Sequence, residues 1–184
     1  MTKKHKRDDV ANLTPKELAD TLLTVEKMIN GLPAKQQHIM SEWLSIWSKY
    51  ISFEKTFQPS KLKYYKRGEI VLAHFGFNTG SELGGPHYAV VVEKNNNNKN
   101  NTVVVVPLSS LGGSKTKERL HHSEVYLGKV LPDSDKESYA MPAQIRAISK
   151  LRIVKPKTAD DSVYKISNEQ LQVIDEKIKL LFTK

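Results

Sequence analysis

Three basic segments carry the side chains best suited to hold a polyanion. Lys61-Leu62-Lys63-Tyr64-Tyr65-Lys66-Arg67 interleaves cations with aromatic rings, a composition that clasps single-stranded nucleic acid by charge and stacking. The segment Gly112–Arg119 brings Lys115, Lys117 and Arg119 just past Ser109, where they can hold phosphates. Arg146, Lys150, Arg152, Lys155 and Lys157 form a run without an acid. A run of charge is by itself an ordinary solvated face. Its concentration raises it above that: residues 61–184 carry 20 basic and 13 acidic side chains, net +7, against +2 for residues 1–60. His121-His122 invites a metal reading, but adjacent residues on a strand face opposite ways. There is no cysteine and no nearby His-x-x-x-His, so no metal site is expected. Carboxylates do not cluster, which argues against a metal-dependent hydrolase.

The whole chain, 184 residues and net +9, suits one compact domain with a small appendage. A pI near 9.5 makes polyanions natural partners. Without cysteine, a disulfide framework, a Cys-ligated zinc and a cysteine nucleophile are all excluded. No run of 18 apolar residues exists to span a membrane. The basic start lacks the apolar stretch of a secretory signal. A cytoplasmic protein with no membrane partner is the expectation.

The elements that must position these residues follow from periodicity. Residues 1–12 are charged and expected to fray. Thr14-Pro15-Lys16-Glu17 is a capping box with Pro at the first helical position. Leu18, Leu22, Val25 and Ile29 follow at helical spacing up to Gly31-Leu32-Pro33. A second helix from about Ala34 carries Ile39, Trp43, Ile46, Trp47 and Tyr50 on one side. The pair reads as a helical hairpin, either a structural appendage or a partner-binding helix pair. Past Gln58-Pro59-Ser60 the period changes. Glu69–Phe75, Tyr88–Glu93 and Thr102–Leu108 are short valine-rich strands, with weaker strand signals at Ser123–Leu127 and Leu151–Val154. The tract Asn95–Asn101 has nothing to bury and reads as a flexible hairpin loop. A last helix starts at Ser167 and Gln170, with Leu171, Ile174, Ile178 and Leu181 as its stripe. Short strands with long loops predict a small, strongly curved sheet or barrel.

Four blocks then stand in order: Lys66-Arg67-Gly68-Glu69-Ile70-Val71, Gly80-Ser81-Glu82-Leu83-Gly84-Gly85-Pro86-His87-Tyr88-Ala89-Val90, Thr102–Pro107 leading into Leu108-Ser109-Ser110, and Gln144-Ile145-Arg146. In this order and spacing they resemble the PemK/MazF family of toxin endoribonucleases over roughly Lys66 to Val154. Residues 1–60 have no counterpart in that family's minimal domain. The resemblance implies an α+β, mainly β fold. A small SH3-like barrel with a C-terminal helix over residues 61–184 would follow a charged tail and helical hairpin over residues 1–60.

It also implies a homodimer that cuts single-stranded RNA without metal or cofactor, by attack of the 2′-hydroxyl on the adjacent phosphate. An antitoxin protein would neutralise it, and the toxin–antitoxin complex would bind promoter DNA. The catalytic positions implied are His87 and Ser109; Glu82, Lys115, Lys117, Arg119, Gln144 and Arg146 are the substrate-binding set. Ser109 fits the family pattern of Thr or Ser after the third strand. His87 departs from it, because this chain reads Gly85-Pro86-His87-Tyr88 where the family reads Gly-x-Arg-Pro. An imidazole gives or takes a proton near neutrality but supplies less permanent charge than arginine. The departure either retunes an enzyme or marks a non-catalytic nucleic-acid- or partner-binding module on the same barrel. Gln144 and Arg146, flanking Ile145, would point to one side of an extended segment. Arg146 is expected to be partly buried and paired, with Glu82 as a candidate, rather than catalytic.

Overall fold

The computed structural model describes residues 13–132 and 134–184. The segment 1–12, expected to fray, lies outside them. The chain divides into two compact units, Met1–Leu44 and Ser45–Lys184.

In the first unit, helix α1 (Pro15–Asn30) starts where its capping box predicts. The Glu17 amide donates to Thr14 Oγ1 at 3.2 Å, and the Thr14 amide donates to a Glu17 carboxylate oxygen at 2.8 Å, so two orphan donors of the first turn are satisfied. Gly31 closes the helix, and helix α2 (Ala34–Glu54) begins three residues later; its residues from Ser45 on, Tyr50 among them, belong to the second unit. The side chain of Gln37 ties the turn by donating to the carbonyls of Asn30 and Leu32. No residue of α1 is buried. Leu22, in the expected apolar stripe, is 59% exposed.

The second unit is a mainly antiparallel sheet with flanking helices. Its strands are β1 (Glu69–His74), β2 (Pro86–Val91), β3 (Thr102–Ser110), β4 (Val125–Gly128), β5 (Ser138–Ala140), β6 (Arg146–Ser149), β7 (Ile153–Lys155) and β8 (Tyr164–Lys165). Strand order is β4-β5-β3-β2-β1-β7, with β6 on β3 and β8 on β1. β6 lies on β3 and β7 on β1, and only Lys150–Arg152 separates the two. The circuit β1-β2-β3-β6-β7 therefore closes on itself as a small barrel, and helix α3 (Asn168–Phe182) follows.

The valine runs are explained by two cores. Val71, Ala73, Ala89, Val91, Val103 and Val105 face the barrel interior with Tyr65, Phe75, Ile148 and Ile153. Their neighbours Ile70, Val90, Val92, Val106 and Leu108 face the other way, under Val125, Leu127, Ala140 and Ile174 of α3. Strands buried on both faces read as continuous apolar runs rather than alternations. Val103, Val105 and Val106 of β3 are thus buried by their own chain, with Val104 half-buried, and apolar surface is left over on α3, where Leu180 is 73% exposed.

Three readings of the sequence are corrected here. The tract Asn95–Asn101 does bury something. Asn96 is 3% exposed, and its amide donates to the Glu93 carboxylate at 2.9 Å and to the Thr102 carbonyl at 3.2 Å. Lys150, 1% exposed, donates to the carbonyl of Asn97 at 2.6 Å. In the segment Lys61–Arg67, three of the side chains read as a clasp are engaged within the fold, while Lys61, Tyr64 and Lys66 stay exposed. Tyr65 is buried with its hydroxyl on the Pro156 carbonyl, Lys63 pairs with buried Glu69, and Arg67 pairs with Asp175 of α3. The basic run 146–157 is not one solvated face either, since Lys150 lies in the interior.

His74 on β1 shares a 2.6 Å hydrogen bond with the Tyr50 hydroxyl of α2. Burial, and then Lys157 and Arg152, hold its imidazole below the ordinary histidine value of 6.5. The unfolded chain therefore takes up this proton first as pH falls. His74 withdraws stability from about pH 6.5 downward, until the folded form protonates as well. Thermal melts at pH 7.5 and 5.5 should show a smaller acid loss for His74→Gln than for wild type. Equal losses in the two proteins would remove His74 as the source.

Candidate active site

One open groove of about 560 Å³ is lined by His87 and Tyr88 of β2, Leu108, Ser109 and Ser110 of β3, and Leu131, Pro132, Ser134 and Lys136 of the β4–β5 connection, with Leu72 and Pro86. The adjacent strands β2 and β3 deliver His87 and Ser109 to the same end of the sheet. Half-buried His87 stands opposite Ala73 in the β1–β2 ladder. Its Nδ1 lies 3.3 Å from the Leu108 carbonyl. A carbonyl only accepts, so this bond puts the proton of a neutral imidazole on Nδ1 and leaves Nε2 free to take one. The ring packs edge-on against buried Phe75, centroids 6.4 Å apart.

The loop before His87 is held by close backbone approach. Gly85 donates to the Gly76 carbonyl at 2.6 Å, and Phe75 donates to the Gly85 carbonyl at 2.8 Å. A Cβ on Gly84 would lie 2.7 Å from the Gly76 oxygen, so only glycine fits there, and Gly85 has φ +77°. The Asn78 amide closes the loop from within by donating to the Phe75 and Leu83 carbonyls.

Gln144 ends a 3₁₀ turn, Pro142–Gln144, rather than lying in the expected extended segment, yet its side chain meets that of Arg146 at the start of β6. Arg146 Nη2 donates to the Gln144 side-chain oxygen at 2.9 Å, and the guanidinium lies 5.5 Å from the centre of the Phe75 ring. That oxygen also accepts from the Leu83 amide at 3.4 Å, while the Gln144 amide donates to the Ser81 carbonyl at 3.3 Å. The pair thus braces the glycine loop and, through Phe75, the histidine. The expected Arg146 partner is corrected: it is Gln144, and Glu82 sits exposed in the loop turn.

The basic loop is less free than its sequence suggests. Lys115 pairs with Glu124 at 2.5 Å and lies over the Tyr139 ring. Lys117 lies over Tyr126, and Arg119 reaches the Ser114 carbonyl at 3.5 Å. His121 and His122 stand in a turn before β4 rather than on a strand, so their rings meet at 4.0 Å instead of facing apart. Among the described residues no group of three potential metal ligands forms.

Sequence reading missed Lys136 and Ser134 in the groove. Lys136 is exposed, and its amide donates to Ser134 Oγ at 3.2 Å. No motif marks these two residues, because the loop that carries them has no periodicity to read.

A search of curated proteins finds no match. Among solved structures, the chain is similar to MazF from Deinococcus radiodurans, with 16% identity and a TM-score of 0.47 over 65% of this chain and 97% of that one. It is similar to the Mycobacterium tuberculosis toxin MazF-mt6, with 13% identity and a TM-score of 0.44 over 62% and 95%. It is also similar to a mycobacterial endoribonuclease in complex with its cognate antitoxin, with 17% identity and a TM-score of 0.43 over 62% and 91%. The family model for PemK-like, MazF-like toxins matches residues 66–182, from the basic opening of β1 to the last residue of α3. With that match over most of its length, the chain belongs to the PemK-like, MazF-like family of toxins of type II toxin-antitoxin systems.

Proposed function

We propose that the chain is an endoribonuclease that cuts single-stranded RNA, the toxin of a pair neutralised by an antitoxin protein. The observation that carries the reading is that His87 and Ser109 line one open groove together with the ammonium-bearing Lys136. Cleavage needs a base for the 2′-hydroxyl, donors for the charge growing on phosphorus and a proton for the departing oxygen. Nε2 of His87 takes the 2′-hydroxyl proton. The 2′-oxygen attacks phosphorus and the P–O5′ bond breaks. Ser109 Oγ and Lys136 steady the non-bridging oxygens. The products are a 2′,3′-cyclic phosphate and a 5′-hydroxyl: water in the open groove gives the departing 5′-oxygen its proton, and His87 returns the 2′-hydroxyl proton to the solvent. The nucleophile belongs to the substrate, so the step needs no metal to activate water. Glu82, Lys115, Lys117, Arg119, Gln144 and Arg146 complete the proposed substrate-binding set, with Gln144 and Arg146 acting as braces.

The test is incubation of the purified protein with a long RNA in EDTA, followed by mapping of the new ends. Cyclic phosphate and 5′-hydroxyl ends are expected. One observation favours a second reading, a non-catalytic binding module: His87 stands where the family pattern has arginine. RNA bound and left intact would establish that reading in place of the first.

We further propose a homodimer, using the exposed Val173, Leu180 and Phe182 of α3, and promoter DNA as a ligand of the toxin–antitoxin complex. Light scattering of the same preparation should give the mass of two chains; a monomer at micromolar concentration would remove the second copy.

A further inference from the structure

Strands β3, β5 and β4 lie side by side, with Ser109 opposite Tyr139 and Tyr139 opposite Tyr126. Residues directly opposite in antiparallel pairs present their side chains on the same face. Ser109, Tyr139 and Tyr126 therefore form one row across three strands, on the face away from buried Leu108, Ala140, Val125 and Leu127. At about 4.8 Å per strand, the row runs about 10 Å outward from the groove. Neither tyrosine is buried, and each ring carries a lysine ammonium: Lys115 Nζ is 5.0 Å from the centre of Tyr139, and Lys117 Nζ is 4.4 Å from that of Tyr126. Glu137 holds the Tyr126 hydroxyl, and Glu124 holds Lys115.

Magnitudes decide what such a row binds. An exposed cation–π contact is worth about 0.5–1 kcal/mol. A nucleobase stacked on an aromatic side chain is worth about 1–3 kcal/mol. A base arriving from the groove therefore displaces the ammonium from the ring, and the displaced ammonium is left beside the phosphate of the same nucleotide. We propose that Tyr139 and Tyr126 are a stacking platform for two bases of single-stranded RNA on one side of the cut phosphate, with Lys115 and Lys117 as caps that move from ring to phosphate. Glu124 and Glu137 border the row, so affinity there comes from base stacking more than from net charge. This inference rests on the ribonuclease reading only for where the strand enters.

The probe is a 2′-O-methyl oligopyrimidine of eight nucleotides, which lacks the free 2′-hydroxyl and cannot be cut, followed by fluorescence anisotropy. Tyr139→Leu and Tyr126→Leu should each weaken binding about tenfold, with the slope of log affinity against log salt unchanged. Tyr126→Phe keeps the ring and should bind like wild type. Lys117→Ala should instead lower that slope by about 0.7. Scanning a pair of abasic sites along the oligonucleotide should find a position at which wild type loses affinity and the double Leu variant loses no more. If a Leu variant fails to fold, the wild-type arm of the scan still tests the platform, which requires a position where the abasic pair weakens binding. Leu variants that bind as wild type, or an oligonucleotide bound equally with abasic sites at every position, would overturn the platform. So would absence of binding by wild type. Abasic-sensitive binding by a protein that leaves RNA uncut would sink the catalytic reading and keep the platform. Cutting with no abasic effect would do the reverse.

Discussion

Replacing His87 by alanine is expected to slow RNA cleavage by about 10²–10⁴-fold, the usual worth of a positioned acid–base group. Affinity for an uncleavable strand should change little, because His87 is one contact among several phosphate-holding groups. The bond from Nδ1 to the Leu108 carbonyl and the edge contact with Phe75 fix the ring before substrate arrives. The loss should therefore fall on kcat rather than KM. The rate–pH profile should lose the limb that an imidazole contributes. His87→Arg restores the family's residue and its permanent charge. It should keep some activity while flattening that limb, with Pro86 and Tyr88 limiting how well the longer side chain fits. Ser109→Ala should cost less, because its hydroxyl donates to phosphate and transfers no main proton. A His87→Ala protein that cuts at the wild-type rate with the same profile would end the acid–base role and turn attention to Lys136 and Arg146.

Gly84→Ala should be nearly as damaging without touching a reacting group. Its Cβ would stand 2.7 Å from the Gly76 carbonyl oxygen, where ordinary contact begins at 3.4 Å. Backbone is on both sides, so one strand of the loop must move by about 0.7 Å, the difference of those two distances. The moving segment leads directly into Pro86 and His87. A misplacement near 1 Å can cost about 10²-fold in rate, and overpacking of this kind costs about 1–3 kcal/mol of stability. Cleavage should therefore fall about 10²-fold in a variant that still melts cooperatively. Gly31→Ala is the control: its Cβ meets nothing closer than 3.5 Å, and it should leave the rate unchanged. If Gly84→Ala cuts as fast as the control, the close approach does not position His87.

The local features were decided by the sequence itself. Thr14 with Glu17, and Ser167 with Gln170, form both of their capping boxes, because a cap is satisfied within four residues and needs no other part of the chain. The valine runs became β1, β2 and β3 because a segment that apolar is stable only with both faces covered. Gln144 and Arg146 meet, but Gln144 ends a 3₁₀ turn and only Arg146 lies on β6, so the alternation of an extended chain is not what joins them. The order of the blocks around Gly84, His87 and Ser109 was enough to indicate the family.

Other features came only with the tertiary structure. β5 and β8, of three and two residues, are too short for any periodicity and exist through their partners' hydrogen bonds. Lys63, Tyr65 and Arg67 have the composition of a nucleic-acid clasp, yet Glu69, the Pro156 carbonyl and Asp175 engage them. Composition states a charge but not its partner. Asn96 is buried because Glu93, Thr102 and Lys150 surround its loop, groups that lie up to 54 residues away along the chain. The row of Ser109, Tyr139 and Tyr126 depends on strand register, which a one-residue slip would invert. The groove itself, with Lys136 brought up to His87 and Ser109, depends on how a loop without pattern crosses the end of the sheet. Sequence determines what each residue can do; only closure of the barrel decides which residues do it together.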